Sequence, residues 1–349
     1  MNRVVHFCYA ITAIPADCPM TIEREGVQRE QVQREKAQGQ TVQGGGVQRE
    51  KVYFLSGDTR VAAWHYPGRS SGCVVMSGGF GVTKEPGTDR FAQRFHEAGF
   101  TVLAFDPRRI GESDGQPRQV VRLGDQRADW VAAVGFAATL PAVDPARVAL
   151  WSFSLTAGLV VEVAARTPGV AAAIAQSPAV DGLAGTRNAL VQTTRRALVR
   201  LMAAAALDGM GGLVGRQPRL VPLVGAPGTL AVLTTPDAQD GARILDPDGE
   251  QPDWQCGVAA RSVLGCGGYR PVRFAARVRC PVLFVVCKQD QSAPPAPAVR
   301  AAALAPPPRS WTPTRRQWRP RSRSCAATCW TYRRPADAQP IRSWTTTPA

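Results

Sequence analysis

From residue 51 to residue 287 the chain alternates short apolar runs with stretches of helical period, and few architectures satisfy that alternation. Residues 52–55 and 61–66 flank Ser56-Gly57-Asp58, the pattern of a hairpin closed by a glycine turn. Further strands are expected at 73–76, Thr101–Phe105, 147–151, 171–175 and 281–287. Helices are expected at 90–98, where Phe91 and Phe95 stand four apart, at 125–140, with Trp130, Val131, Val134 and Ala138 on one side, and at 155–165. Strands joined through helices of this length pair side by side in the same direction, because a parallel pair needs a long crossover. The expected fold class is therefore α/β, with a doubly wound, mostly parallel sheet.

Between 182 and 274 the period weakens, with glycine- and proline-rich stretches and one helix-like piece at 197–207, the texture of an inserted cap. Two terminal segments read differently. Val27, Val32, Val42 and Val47 are each followed by Gln, and three of these units read Val-Gln-Arg-Glu. A period of five matches neither helix nor strand and offers one apolar residue per unit, so residues 1–50 are expected to be disordered. Residues 306–349 hold nine Arg, eight Pro and four Trp, with one Ile and no Leu or Val. Such a tail has no periodicity with which to complete a sheet, and its composition resembles a GC-rich coding sequence read out of frame from about 304–308 onward. The folded domain is placed at 51–305, a size ample for a full core.

The net charge of +15 raises the question of nucleic acid, but +8 of it lies in the tail (nine Arg against Asp337). The body lacks a basic stripe interleaved with aromatics, so no nucleic-acid partner is expected. Nine cysteines without paired spacing support neither a metal site nor a disulfide framework, and Cys73 and Cys287 fall within apolar strands as reduced thiols would in a cytoplasmic protein. The first residues, Arg3 followed by 4–15, are interrupted by His6, Cys8, Tyr9 and Thr12 and lead to no small-residue cleavage pattern. No run of 18 apolar residues exists, so neither a membrane span nor a membrane partner is expected.

The most informative stretch is Val148-Ala149-Leu150-Trp151-Ser152-Phe153-Ser154-Leu155-Thr156-Ala157-Gly158. A strand that runs straight into a helix leaves its turn residue, Ser154, above the C-terminal edge of the sheet, at a helix N-terminus that favours negative charge. Here the chain resembles the α/β-hydrolase superfamily, whose nucleophile elbow is usually Gly-x-Ser-x-Gly. Ser152 and Thr156 replace both glycines; they are small, though the branched Thr156 is expected to crowd the strand. A second shared feature is Val74-Val75-Met76-Ser77-Gly78-Gly79-Phe80-Gly81, a strand entering a glycine-rich loop. The resemblance implies an oxyanion hole made by the backbone amides of Phe80 and Leu155, and Gly78 stands where relatives often carry His. Neither a dinucleotide nor a Walker pattern accompanies these glycines. A third feature is the strand and loop Phe105-Asp106-Pro107-Arg108-Arg109-Ile110-Gly111-Glu112-Ser113-Asp114-Gly115; no helix follows, so Ser113 is a loop residue expected to shape the site entrance.

Asp290, just beyond the strand 281–287, stands where the family's acid orients a catalytic histidine, with Asp181 as the alternative acid or a helix cap. The base is missing. His6, His65 and His96 are the chain's only histidines and all precede Ser154, whereas the family order places the base after both serine and acid. The resemblance implies a serine hydrolase acting on a small-molecule acyl substrate of ester type, without cofactor or metal, whose histidine would lie in the out-of-frame segment. A non-catalytic binding protein on the same fold is the alternative.

Overall fold

The computed structural model describes residues 48–246, 254–306 and 327–330, so the N-terminal repeat up to Val47 and most of the arginine-rich tail lie outside the described residues. In chain order the strands are β1 (Glu50–Ser56), β2 (Thr59–Tyr66), β3 (Cys73–Ser77), β4 (Thr101–Phe105), β5 (Val148–Phe153), β6 (Val170–Gln176), β7 (Leu220–Pro222), β8 (Gly257–Ala259), β9 (Val282–Cys287) and β10 (Ala327–Trp330). The helices used below are α1 (Asp89–Glu97), α2 (Leu123–Ala137), α3 (Ser154–Arg166), α4 (Gly182–Gln192), α5 (Arg195–Leu213), α6 (Pro236–Leu245) and α7 (Pro295–Leu304).

Eight strands form one sheet in the order β1-β2-β4-β3-β5-β6-β9-β10. The inner five run parallel, while β1 and β2 at one edge and β10 at the other are antiparallel. The expected hairpin, the parallel sheet and its flanking helices are all present. Two expectations at the ends change. The ordered part of the chain begins before residue 51, since Glu50 opens β1 and Arg49 lies over the Trp64 ring and pairs with Glu85. Four residues of the tail, Ala327–Trp330, pair with β9 at the sheet edge, where no strand was expected: antiparallel backbone pairing asks for no apolar periodicity when a strand edge is free.

Successive residues of each strand face opposite sides of the sheet. Val74, Met76, Val102 and Trp151 pack with Ala92 and Phe95 of α1 on one side. Val75, Leu103, Phe105 and Leu150 meet α2, α3 and α7 on the other. Trp130 of α2 is fully buried and meets Phe105 edge-on at 5.1 Å. Its neighbour Val131, expected on the same side, is 47% exposed. The buried stripe follows Gln126, Trp130, Ala133 and Ala137, spaced three to four apart, which turns the next residue about 100° away from the core.

The segment after β3 is tied to the loop after β4 by a buried ion network. Lys84 donates its backbone N–H to Asp106 Oδ1 (2.6 Å) and its Nζ to Asp106 Oδ2 (2.8 Å), and both residues are almost wholly excluded from solvent. Glu112 donates its backbone N–H to the same carboxylate (3.0 Å) and pairs with both Lys84 and Lys51. Burial alone would lower the Lys84 pKa, but Asp106 and Glu112 outweigh it and raise it; burial would raise Glu112, and the two lysines lower it. Ser113 is buried in this network too: its Oγ donates to the Asp106 carbonyl (2.6 Å) and accepts from the Ala62 N–H (2.8 Å). It therefore staples β2 to the β4 loop and does not shape an entrance, because both hydroxyl functions are spent on backbone. Removing one partner of a buried pair leaves the other uncompensated, which costs about 3–5 kcal/mol. Lys84→Met is expected to lower the unfolding free energy by that amount in a urea titration, and Lys84→Met with Asp106→Asn by clearly less.

Candidate active site

β5 ends at Phe153 and α3 begins at Ser154, whose φ of +59° lies in the left-handed region. A non-glycine residue there carries strain of roughly 1–3 kcal/mol and persists only where its surroundings fix it. Several contacts do so. The Ser154 carbonyl accepts from the Ala179 N–H (3.1 Å), and Ser152 Oγ donates to the Ser77 carbonyl at the end of β3 (2.8 Å). A Cβ on Gly158 would come within 2.4 Å of the Ala179 carbonyl oxygen, so glycine is needed one turn into α3 to let helix and loop approach. Thr156 is accommodated fully buried, and its Oγ1 finds no hydrogen-bond partner among the described residues. The Ser152 and Thr156 replacements thus have different consequences, one satisfied and one orphaned.

The loop after β3 is tight. Val82 N–H donates to the Gly79 carbonyl (3.1 Å), Gly81 has φ +68°, and a Cβ on Gly78 would sit 2.3 Å from the Val82 carbonyl oxygen. A side chain in place of Gly78 is therefore excluded by this backbone. The Phe80 ring is buried in a cluster with Leu201, Ala204 and Ala205 of α5, and Leu155 packs against the same cluster. Phe80 and Leu155 thus share one apolar enclosure against α5. The Leu155 amide, in the first turn of α3, has no intrahelical acceptor, and the Phe80 amide enters no backbone hydrogen bond among the described residues.

Asp290 follows β9, and its Oδ1 accepts from the backbone N–H of Ser292 (3.0 Å) and Ala293 (2.6 Å), with a further side-chain bond from Ser177 just beyond β6. Burial pushes its carboxyl up to about 6, with nearby Asp237 adding to the rise against the pull of these donors. Asp237, in the first turn of α6, accepts from the N–H groups of Gln291 (2.7 Å) and Ser292 (3.2 Å) and from Ser292 Oγ (2.9 Å). Burial alone would raise it, but bonds from Thr235, Gln291 and Ser292 hold it below the usual carboxylate range. α6 is in this way latched to the loop that carries Asp290. Asp181 is employed otherwise: it caps α4 by accepting from Leu183 and Ala184 N–H (3.1 and 3.3 Å) and pairs with Arg270 (3.2 Å).

Parallel β3, β5, β6 and β9 end on the same edge of the sheet, so their following residues, the glycine loop, Ser154, Ser177 and Asp290, gather there, as ligand sites in α/β sheets do. The histidines do not join them. His65 lies on β2 opposite Leu103, with Nδ1 2.7 Å from Glu50 Oε1, and His96 is half-buried on α1 with Nε2 3.0 Å from the Pro67 carbonyl. His6 lies outside the described residues. The bonding roles of Lys84, Asp106 and Asp237 were not readable in the sequence because their partners are distant in the chain; only the Thr235-Pro236-Asp237 helix start carried a signal.

A quorum-quenching protein, AidA of Acinetobacter baumannii (strain MDR-ZJ06), is 37% identical over 259 residues, spanning 73% of this chain and 83% of AidA. The chain belongs to the α/β-hydrolase superfamily. Residues 68–221 match the serine aminopeptidase (S33) family model. The thiohydrolase apmlB of Arthrinium phaeospermum is 38% identical over 132 residues, 37% of this chain and 43% of that protein. The crystal structure of the α/β hydrolase GrgF from Penicillium sp. sh18 superposes with a TM-score of 0.62 at 24% identity, covering 74% of this chain and 87% of that one, a likeness of fold. By family, then, the chain is a hydrolase.

Two substitutions test this geometry. Thr156→Val removes an unpaired buried hydroxyl at nearly constant volume and is expected to raise the unfolding free energy by roughly 1 kcal/mol. At Asp290 the folded state favours the protonated form, since its pKa is about 6 against an ordinary 3.8. The folded protein thus binds more protons between those values, and stability falls as pH rises through them and then levels. Asp290→Asn removes that contribution, so unfolding midpoints of variant and wild type are expected to draw apart in the variant's favour between pH 4 and 6.

Proposed function

We propose that this fold is the core of a serine hydrolase for an ester-type acyl substrate, with Ser154 as nucleophile, the Phe80 and Leu155 amides as oxyanion donors and Asp290 as the acid that orients a histidine. The observation that carries the reading is the left-handed Ser154 at the junction of β5 and α3, a strained position that projects the hydroxyl over the sheet edge beside the glycine loop. Attack by Ser154 Oγ on an acyl carbon would move negative charge to the carbonyl oxygen, and two amides aimed at that oxygen stabilise it without a metal or cofactor. Asp290 at the end of β9 supplies a carboxylate whose burial awaits a cationic partner, as an imidazolium would be. The apolar enclosure formed by Phe80, Leu155 and α5 suits the carbon portion of an acyl group. Thioester and peptide bonds obey the same chemistry and are narrower choices within it. Free cysteines, among them Cys73, Cys266 and Cys280 with thiols pushed up to about 12 by burial, suit a reducing cytoplasm.

The non-catalytic reading is favoured by one observation: none of the chain's three histidines follows Ser154. We infer that the base, the last parallel strand and the last helix are encoded in another frame after about residue 304. Lacking a triad member, a hydrolase keeps only what binding and the oxyanion hole supply. The chain as it stands is expected to cleave p-nitrophenyl esters no faster than its Ser154→Ala variant, whereas the frame-corrected protein cleaves them in a Ser154-dependent way. Turnover by the present chain above that control excludes the non-catalytic reading; a frame-corrected protein that is inert, or DNA in which neither other frame holds an apolar strand followed by His, removes the catalytic one.

A further inference from the structure

The cap presents an apolar surface that nothing in the described fold covers. α5 buries Ala197, Leu201, Ala204 and Ala205 inward over the candidate site, yet its outward face is apolar as well, with Val199, Met202, Met210, Leu213 (88% exposed) and the following Val214 all in solvent. Val191 at the end of α4 is 82% exposed beside them in sequence. A helix apolar on two opposite faces is ordinarily buried on both, and a contiguous exposed patch of this kind marks an interaction surface.

The charge around the patch identifies what covers it. From 182 to 220 the only acid is Asp208, which is buried and fully engaged by Arg261. Against it stand Arg187, Arg195, Arg196, Arg200, Arg216 and Arg219, all exposed and none in an ion pair among the described residues. Arg195, Arg196 and Arg200 occupy the first turns of α5, and Arg216 and Arg219 follow its end, so an apolar centre is framed by cations at both ends. A second copy of the chain would set six arginines against six and is disfavoured by that repulsion. A surface that is negative where the arginines reach and apolar beneath is the interface of an anionic bilayer, into which such helices lie flat.

We propose that the outward face of α5, with the end of α4, docks on anionic lipid surfaces. The expectation of no membrane partner rested on the absence of a spanning run, and indeed among the described residues no helix is long and apolar enough to cross a membrane; lying on a surface is a different requirement. Because the inner face of the same helix packs with Phe80 and Leu155, docking would hold the candidate site against the lipid. The proposal does not depend on Ser154 being reactive.

Co-flotation of the full chain with vesicles of equal parts phosphatidylcholine and phosphatidylserine tests it, with pure phosphatidylcholine vesicles as the comparison. Binding to the mixed vesicles, weakened by salt and largely lost on the neutral ones, is expected. Replacing Arg195, Arg196 and Arg200 with Gln is expected to weaken it on the order of a hundredfold, about fivefold per arginine. Val199→Gln with Met210→Gln is expected to weaken it at least tenfold, while circular dichroism melts stay unchanged because these side chains are exposed. Equal binding by wild type and both variants would place the affinity elsewhere, such as the basic segment 307–349, and overturn the proposal. So would a stable dimer that the Val199→Gln, Met210→Gln variant dissociates, or absence of binding to either vesicle.

Discussion

At the junction of β5 and α3 the backbone reverses from extended to helical across one residue, and the site depends on that residue accepting a positive φ. The reversal is possible because the parallel neighbours of β5 present compact edges. Ser77 offers its carbonyl to Ser152 from β3, and Ala179 beyond β6 reaches the Ser154 carbonyl over a helix that is glycine where the two meet. Strain at Ser154 is therefore stored against packing on both sides of the strand, and the side chain emerges over the edge where the parallel strands end.

The surroundings of that edge are fixed by polar ties between segments far apart in the chain. Lys84, Asp106 and Glu112 hold the glycine loop to the loop after β4, and the bond from Ser113 to Ala62 fastens the same loop to β2. On the far side Asp237 of α6 grips the backbone at Gln291 and Ser292, next to Asp290. α5 packs its apolar inner face against Phe80 and Leu155. The desolvation of such buried ionic groups offsets much of their mutual attraction, so removing one partner costs more than the pair contributes.

Much of this was legible in the chain. Short apolar runs and the glycine turn at Ser56-Gly57-Asp58 placed the strands, and the run from strand to helix around Ser154 placed the β5–α3 junction. What was not legible depended on three-dimensional partners. The orientation of α2 was misread at Val131 because Trp130 and Val131 are both large and apolar, and only the packing of Trp130 against Phe105 decides which faces in. Ser113 looked like an entrance residue until its hydroxyl was seen bonded on both sides. Asp290 was favoured over Asp181 by chain order, and that Asp181 is employed as an N-cap with an arginine partner shows only in three dimensions. The pairing of Ala327–Trp330 with β9 left no trace in hydropathy, as backbone bonds alone make it.

The central claim is that Ser154 and the amides of Phe80 and Leu155 converge on one point above the sheet. A crystal structure of the chain soaked with a small alkylboronic acid tests it directly, because boron adds reversibly to a serine oxygen to give a tetrahedral adduct. The account predicts boron bonded to Ser154 Oγ, Ser154 at positive φ, and one boronate oxygen roughly 3 Å from both amides. Ser154 at negative φ, or a boronate on Ser154 with its oxygens turned away from both amides, would contradict it.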